Sequence, residues 1–392
     1  MTGPVPLGVL DLVPISSGAD PSSAVRNSIH LARAAESFGY SRYWFAEHHL
    51  NPGVAGTSPA VMIALTAAAT STIRLGSGGV QSGHRTALSI VEEFGLLDAA
   101  HPGRIDLGIG RSGGRDFLKD RLQAMARGAD RPAGPATEPS AGHDGALHTP
   151  EGLLIPARPS LKGLIGSPRL ALTAELLQQD GAESPEYRPL LEDITGLLAG
   201  TYRSADGLDP HPVPGTDAAV EIWVLGSSAG ASASAAGALG LRFAGNYHVS
   251  PSTVLEAVEG YRSAFVPSAA LDRAYVVVSA DVVVGPDDAR ARDAAEGFAL
   301  WVLGIRSGTG AAPYPTPKEA RAHRWTDEER ALVSDRVDTQ FVGSPATVAD
   351  GLRRLRDATG ADELIVTTMT HDHEDRVRSY RLLAEEWFGE PH

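Results

Sequence analysis

Cysteine is absent from the 392-residue sequence, and basic residues are in the minority. Without cysteine the chain cannot form a disulfide scaffold, a thiolate metal site, a cysteine nucleophile or an iron–sulfur cluster. The 34 lysines and arginines are outnumbered by 48 acidic residues, which gives a formal net charge of -14. A charge of this sign argues against nucleic acid or an anionic membrane as the partner.

Strongly apolar runs of membrane-spanning length are also missing from the sequence. Two uncharged stretches, residues 50–73 and 222–241, are rich in glycine, serine and alanine, so neither predicts a membrane span. The first basic residue is Arg26, so the N-terminus lacks the charged segment that opens a secretory signal. We therefore expect a cytoplasmic protein with no membrane partner.

The dominant pattern is an alternation of short apolar runs with amphipathic segments. Most of the runs are continuously apolar, which is typical of parallel strands buried on both faces. Eight such runs predict a (β/α)8 TIM barrel, with an open doubly wound sheet as the alternative. No Gly-x-Gly-x-x-Gly follows the first strand, which weakens that alternative. The predicted strands span residues 7–13, 40–46, 73–80, 104–109, 219–225, 241–245, 275–284 and 363–368.

Helix starts are marked by five pairs of a serine or aspartate followed by proline. The side-chain oxygen can cap an amide, and proline suits the first helical position because it has no N–H to leave unpaired. The five pairs are Asp20–Pro21, Ser58–Pro59, Ser184–Pro185, Ser250–Pro251 and Ser344–Pro345.

A (β/α)8 barrel needs only about 250 residues, so this chain must carry insertions. We expect one barrel domain over residues 1–392, with an insertion or lid region at 116–218 after the fourth strand. The glycine- and proline-rich part of that region, residues 127–150, predicts a mobile loop, and a helix is predicted around 185–199. A second insertion is predicted at 306–342, near the seventh strand.

Polar residues cluster directly after two predicted strands, where a barrel places its active-site mouth. Glu47, His48 and His49 follow the second strand and could form a metal site, a proton-transfer group or a hydrogen-bonded structural cluster. His371-Asp372-His373 follows the eighth strand. Its two imidazoles could bind the metal ion of a barrel hydrolase. Alternatively, His371 lines the pocket while the next two residues cap the last helix.

Three further strand ends carry features that suit a ligand. Gly78 and Gly79 end the third strand, which indicates either a tight turn or a flat ligand against bare backbone. Arg111 follows the fourth strand and suits a phosphate oxygen or a surface ion pair. Ser227 and Ser228 precede an alanine-rich helix, where they provide either an anion site or an N-cap.

Together these motifs resemble the bacterial luciferase-like family of flavin-dependent oxidoreductases. The similarity covers residues 7–115 and 219–388. It implies a (β/α)8 barrel that binds reduced FMN at its mouth and uses dioxygen to oxidise a small organic substrate. The segments that carry the resemblance are 44–49, 73–80, 101–111, 226–228 and 341–348.

The resemblance also implies roles for individual residues. His48 looks like the family's catalytic imidazole, supported by Glu47 and His49. The Gly78–Gly79 pair matches the position where the family has a non-proline cis peptide against the isoalloxazine ring. The 5′-phosphate is expected at Arg111 and at the backbone amides of two serines. Those serines are Ser227 and Ser228, and substrate contacts are predicted for His84, Tyr247, His248 and His371.

The expected partners follow from the same comparison. Because no dinucleotide fingerprint is present, reduced FMN is expected from a separate flavin reductase that oxidises NAD(P)H. Helices at 59–71 and 87–100 look like the family's dimer surface, so a homodimer is expected. A deazaflavin-dependent relative of the same barrel is the nearest alternative, although Glu-His-His favours FMN. A metal-dependent barrel hydrolase and a non-catalytic flavin-binding protein are the others.

Overall fold

A computed structural model describes residues 4–112, 145–159 and 166–389 of the chain. Eight parallel strands pair in chain order and the last pairs with the first, so the sheet closes into a barrel. The predicted (β/α)8 fold is confirmed, and the open doubly wound sheet is wrong. The strands are β1 Leu7–Asp11, β2 Arg42–Phe45, β3 Arg74–Ser77, β4 Ile105–Gly110, β5 Glu221–Gly226, β6 Arg242–Asn246, β7 Val276–Val284 and β8 Glu363–Thr367.

The third strand is shorter than the apolar run at 73–80 predicts. It ends at Ser77, and a further two-residue strand, Val80–Gln81, pairs with β4. Gly78 and Gly79 interrupt the ladder because they offer no side chain to pack in a strand. Their backbone therefore lies at the carboxyl end of the barrel.

The helices surround the barrel and bury their apolar sides against it. In α1, for example, Leu31, Ala32 and Ala35 are fully buried. The helices are α1 Pro21–Ser37, α2 Pro59–Ala67, α3 Ala87–Ala100, α4 Pro168–Leu177, α5 Tyr187–Leu198, α6 Ala231–Ala238, α7 Val254–Ala264, α8 Asp288–Ala295, α9 Phe298–Arg306, α10 Pro317–Ala322, α11 Asp327–Val337, α12 Pro345–Thr359 and α13 His373–Phe388.

The predicted helix starts are correct in part. Asp20 accepts a hydrogen bond from the backbone N–H of Ser23, and Ser344 caps α12 in the same way. The Ser250–Pro251 pair instead opens a short 3₁₀ turn before α7. The helix predicted around 185–199 spans Tyr187–Leu198, and its N-cap residue Glu186 makes no side-chain capping bond.

The longest connection between barrel strands lies between β4 and β5, as the predicted insertion requires. Its described part contains α4, α5 and a small antiparallel hairpin of Leu147–His148 with Leu154–Ile155. Most of the loop predicted as mobile, residues 127–144, lies outside the described residues. The remaining residues of the predicted loop, 145–150, overlap the first strand of the hairpin. Whether the region acts as a lid stays a prediction.

The segment predicted as a second insertion, 306–342, contains α10 and α11. It ends in a short strand, Phe341–Gly343, that pairs in parallel with the end of β7. The end of the segment therefore lies beside the carboxyl end of β7. Within the described residues, no helix is both long and apolar enough to cross a membrane.

Charged side chains close the amino-terminal end of the barrel. Arg42, the first residue of β2, contacts Asp106 of β4 at 2.5 Å and Glu363 of β8 at 2.7 Å. All three are buried, and their mutual pairing offsets the cost of desolvating them. Above this layer the interior is apolar and aromatic, with Leu10, Trp44, Trp223, Val277 and Ile365 among its members.

Candidate active site

A cavity of about 830 Å³ lies at the carboxyl ends of the barrel strands. Residues that follow five successive strands, β2 to β6, contribute to its wall. The structure therefore brings most of the predicted site residues to one place, as the strand-end rule for barrels requires. The predicted residues on the wall are Glu47, His48, His49, Gly78, Gly79, Arg111, Ser227, Ser228 and His248.

Glu47 is the centre of a hydrogen-bonded cluster at the end of β2. Its Oε1 lies 2.9 Å from Nε2 of His49, and its Oε2 accepts the backbone N–H of Gln81 at 2.9 Å. The Gln81 side chain donates to the Glu47 carbonyl oxygen at 2.8 Å. These bonds fix the buried carboxylate, which in turn orients the His49 ring.

His84 belongs to the same cluster and not to the described cavity wall. Its Nε2 lies 3.6 Å from Glu47 Oε1, and its ring packs edge-on against His49. His84 is not among the residues that line the cavity, and its substrate contact stays a prediction. The ligand atoms of the three residues lie within 4.8 Å of one another, but hydrogen bonding to the carboxylate accounts for the arrangement.

His48 projects from the same strand end toward the cavity. Its backbone N–H donates to the Gly56 carbonyl at 2.8 Å, and its Nδ1 is buried with no hydrogen-bond partner in the described part of the chain. Burial lowers the pKa of His48 to about 4; neighbouring His49 adds to this effect, and Glu47 opposes it. The imidazole is therefore neutral near pH 7, so it can accept or donate a proton.

The Gly78–Gly79 peptide is cis, as the resemblance predicts, and both residues line the cavity. A Cβ on Gly78 would lie 2.7 Å from Cδ1 of Leu10, and one on Gly79 would lie 2.8 Å from the Gly108 carbonyl oxygen. The obstacle at Gly79 is backbone, so only glycine fits there, whereas at Gly78 the end of the Leu10 side chain would have to shift. The wall here is bare backbone, which a flat ring can approach closely.

The residues predicted to bind an anion adjoin this wall at the ends of β4 and β5. Arg111 is exposed on the cavity wall just after β4, and Ser227 and Ser228 follow β5. Helix α6 begins at Ala231, and its N-cap residue, Gly230, makes no side-chain capping bond. The first amides of α6 can therefore bind an anion, which the helix dipole also favours.

Two other predicted substrate contacts lie away from the cavity wall. The Tyr247 hydroxyl donates to the Leu154 carbonyl at 2.7 Å, so the hairpin in the long insertion holds this side chain. The His371 Nε2 lies 3.0 Å from the carbonyl oxygen of Ser17. Each side chain contacts a backbone carbonyl, and the substrate contacts of Tyr247 and His371 stay predictions.

The His371-Asp372-His373 motif does not form the predicted metal site. Asp372 caps α13 by accepting from the backbone amides of Glu374 and Asp375, as one of the two interpretations predicts. His373 faces His30 instead of His371, with 2.8 Å between the two ring nitrogens. Among the described residues, His371 joins no group of three side chains that could hold a metal ion.

His248 reaches the cavity from the end of β6. Its Nδ1 lies 2.6 Å from the Ser279 hydroxyl on β7. Burial lowers the pKa of His248 to about 3, and the positive charge of Arg336 and the proximity of His48 add to the effect. His48 and His248 follow β2 and β6, which are opposite strands of the barrel, so two neutral imidazoles face the same space.

The same wall contains a buried ion pair that was not predicted from the sequence. Arg336 donates from Nη2 to Oδ2 of Asp281 at 2.9 Å, and both residues line the cavity. A signal for Asp281 does exist, because Ser279 and Asp281 are the only polar residues in the valine-rich strand β7. No comparable signal marks Arg336, which lies in a helix that is charged along most of its length.

The sequence profile of the family described as luciferase-like monooxygenase matches residues 5–130 and 187–363. The chain belongs to the luciferase-like monooxygenase family. It is 32% identical to a luciferase-like monooxygenase from Escherichia coli K12 over 385 residues, which cover 97% of this chain and 96% of that one. The apo-MsnO8 structure is 31% identical, with a TM-score of 0.75, and the match covers 99% of this chain and 100% of that one.

More distant members of this fold bind two kinds of flavin. A type II Baeyer–Villiger monooxygenase component from Pseudomonas putida in complex with FMN has a TM-score of 0.59 and 19% identity, covering 98% of this chain and 97% of that one. A coenzyme F420-dependent tetrahydromethanopterin reductase from Methanopyrus kandleri has a TM-score of 0.56 and 17% identity, covering 98% and 99%. At these identities the similarity shows the shared barrel fold alone.

Proposed function

We propose that the protein is a monooxygenase that uses reduced FMN and dioxygen to oxidise a small organic substrate. One observation carries the proposal: a flat backbone wall, an anion site and a neutral imidazole all face one cavity. The flat wall is Gly78–Gly79, the anion site comprises Arg111 and the start of α6, and the imidazole is His48. These are the groups that a phosphorylated planar cofactor and a proton transfer require.

The residues present fit FMN at its two ends. Arg111 and the amides that begin α6 would hold the phosphate, and the bare backbone of Gly78–Gly79 would face the ring. Reduced FMN, when bound, supplies the electrons that activate dioxygen. The Glu47-His48-His49 sequence favours FMN over a deazaflavin. A deazaflavin is the second candidate, because an enzyme of the same fold depends on coenzyme F420.

His48 is proposed to hold or move the proton that oxygen chemistry requires. Its ring is neutral near pH 7, and Nδ1 is not committed to another described group. Glu47 and His49 are proposed as positioning residues that fix this strand end. Apolar side chains around the site exclude water, which would otherwise compete for that proton. They include Leu10, Leu12, Trp44, Ile365 and Met369.

We also propose that the chain forms a homodimer and receives reduced FMN from a separate NAD(P)H-oxidising reductase. Large apolar side chains stand exposed on two neighbouring helices, Val61 and Leu65 on α2 with Leu88 and Leu96 on α3. Exposed apolar groups gathered on one face are typical of a protein–protein contact. The absence of a Gly-x-Gly-x-x-Gly motif supports the separate reductase.

A flavin titration tests the cofactor, and oxygen uptake tests the reaction. We expect FMN to bind more tightly than riboflavin and coenzyme F420, as followed by the flavin absorption band. Oxygen uptake with an added reductase and NADH should then couple to oxidation in a screen of small organic compounds. Preference for F420 would favour the deazaflavin candidate. Stoichiometric zinc with no flavin affinity would contradict both.

A further inference from the structure

Two histidines face each other on the outside of the barrel. Nδ1 of His30, on α1, lies 2.8 Å from Nε2 of His373, the first residue of α13. With the adjacent Glu374 they form a group in which one ligand atom of each residue lies within 4.8 Å of those of the others. The three residues stand outside the described cavity wall, so the proposed function does not use them. We call these three residues the seam cluster.

The seam cluster lies where the first and last parts of the chain meet. Helix α1 follows β1 and helix α13 follows β8, and these two strands pair with each other to close the barrel. The two histidines are 343 positions apart in the sequence. They can therefore come together only when the barrel is folded.

The contact between the two imidazoles joins nitrogen to nitrogen. A neutral imidazole has one N–H and one lone pair, so at this distance one ring donates a proton to the other. A divalent metal ion can take the place of that proton, because the donor ring can carry its proton on its other nitrogen and no proton has to leave the protein. Both facing nitrogens then present lone pairs, which is the form in which histidine binds a metal.

Glu374 can supply a third ligand. Its backbone N–H donates to Asp372 at 2.8 Å, but its carboxylate makes no hydrogen bond or ion pair with another described residue. The Glu47 carboxylate at the cavity differs, because both of its oxygens already accept hydrogen bonds. Two imidazole nitrogens and one carboxylate oxygen are a typical ligand set for Zn²⁺, with water in the fourth position.

The geometry requires only a small adjustment. Zn–N bonds of about 2.0–2.1 Å at tetrahedral angles place two ligand nitrogens about 3.3 Å apart. The two ring nitrogens are 2.8 Å apart in the structure. His30 and Glu374 are exposed and His373 is half-buried, so rotation of the side chains can widen this gap and bring the carboxylate closer.

The charges around the seam cluster are compatible with a cation. Asp372 caps α13, and Glu374 lies in its first turn, so acidic groups offset the positive end of the helix dipole. Arg376, a buried cation of the same turn, is paired with Asp11 at 2.7 Å. The net charge of the whole chain, -14, also favours the approach of a cation.

We propose that His30, His373 and Glu374 form a structural Zn²⁺ site that links α1 to α13. The ion joins the beginning and the end of the chain where the barrel closes. Because the ligands meet only in the folded chain, Zn²⁺ binding stabilises the folded state. The proposal does not rest on the proposed function, since no step of the flavin reaction involves these residues.

The test titrates Zn²⁺ into the untagged, metal-stripped full-length chain near pH 7 by calorimetry, and measures Tm with and without Zn²⁺. Wild type is expected to bind Zn²⁺ and to unfold at a higher temperature when Zn²⁺ is present. His30→Ala and Glu374→Gln should each weaken this binding by at least about 10-fold, because even a hydrogen-bond partner of a metal ligand is worth that factor. Both variants should lose most of the rise in Tm. Both side chains are exposed, so the variants should fold as wild type does without metal.

His84→Ala is the matched control. His84 belongs to the other group of two histidines and a glutamate among the described residues, which it forms with Glu47 and His49. This variant should keep the wild-type Zn²⁺ affinity at the seam cluster and the wild-type rise in Tm.

Two results would overturn the proposal. One is a wild-type Tm that does not rise with Zn²⁺. The other is a Zn²⁺ affinity in His30→Ala equal to that of wild type. If His84→Ala loses the affinity instead, the ion belongs to the cluster around Glu47 and not to the seam cluster.

Discussion

At the scale of single residues, burial sets the chemistry of the site. His48 and His248 reach one cavity from opposite strands, and in each the loss of water contact lowers the pKa well below its usual value near 6.5. Two nearby neutral imidazoles can serve as proton acceptors or donors without placing a charge in an apolar space. The buried Glu47 carboxylate beside them is held by hydrogen bonds to His49 and to the backbone N–H of Gln81.

His48→Ala is expected to retain FMN binding while substrate-coupled oxygen uptake falls by about 10²- to 10⁴-fold, the usual loss for an acid–base group. FMN titration and oxygen-electrode measurements on the same preparation check both parts. His101→Ala, which alters a histidine outside the cavity wall, should behave as wild type. Unchanged turnover in His48→Ala would remove this residue from the mechanism.

The free energy of unfolding should depend on pH through the protonation of His48 and His248. Their folded-state pKa values, about 4 and about 3, lie below the unfolded value near 6.5. As pH falls below about 6.5, the unfolded chain gains protons that the folded chain does not, so the free energy of unfolding decreases. The free energy of unfolding, measured with urea between pH 7 and pH 4.5, should decrease less in the His248→Asn variant than in wild type. Equal slopes would contradict the lowered pKa of His248.

Arg111→Ala is expected to weaken FMN binding by about 10- to 100-fold, the range for a lost charge-assisted hydrogen bond, and to change riboflavin binding much less. The comparison isolates the phosphate, because riboflavin lacks it. Arg188→Ala, on the exposed side of α5, is the control. Equal losses for the two flavins would argue against a phosphate contact.

At the scale of elements, the site depends on how strands end. β3 stops at two glycines whose backbone lines the cavity, and a Cβ on Gly79 would meet the Gly108 carbonyl oxygen. β5 leads into a helix whose N-terminus is not capped by a side chain. In both cases the useful group is backbone, and the absence of a side chain makes it accessible.

Gly79→Ala should destabilise the protein by about 1–3 kcal/mol and abolish FMN binding, because the added Cβ would meet the Gly108 carbonyl oxygen at 2.8 Å. Urea unfolding and flavin titration measure the two effects. Gly145→Ala is the matched control, since a Cβ there meets nothing within 4 Å. Wild-type FMN affinity in Gly79→Ala would mean that the ring does not approach this wall.

At the scale of the whole molecule, closing the barrel brings distant parts of the chain to one cavity. Residues 47 and 336 are nearly 300 positions apart, yet both line its wall. The exposed leucines of α2 and α3 lie outside this wall, so two copies could associate without covering the cavity.

The dimer proposal predicts that the wild-type protein elutes at twice the chain mass in light-scattering chromatography. Leu65→Arg combined with Leu96→Arg should give a monomer, because both side chains are about half exposed or more in the single chain. Leu176→Arg, at an equally exposed leucine on α4, should leave the dimer intact. A monomeric wild type would refute the proposal.

Local sequence patterns were enough to predict the barrel and many of the residues at its mouth. Continuous apolar runs identify strands buried on both faces, and polar residues just after them must meet at the carboxyl end of a parallel barrel. That rule locates His48, Gly78 and Arg111 without any knowledge of side-chain direction. The direction in which a side chain turns depends on tertiary packing, as for Tyr247 and His371, which each contact a backbone carbonyl. Tertiary packing also brought Arg336 to Asp281 across a long insertion, because pairing of buried charges depends on packing that no local pattern in the sequence records.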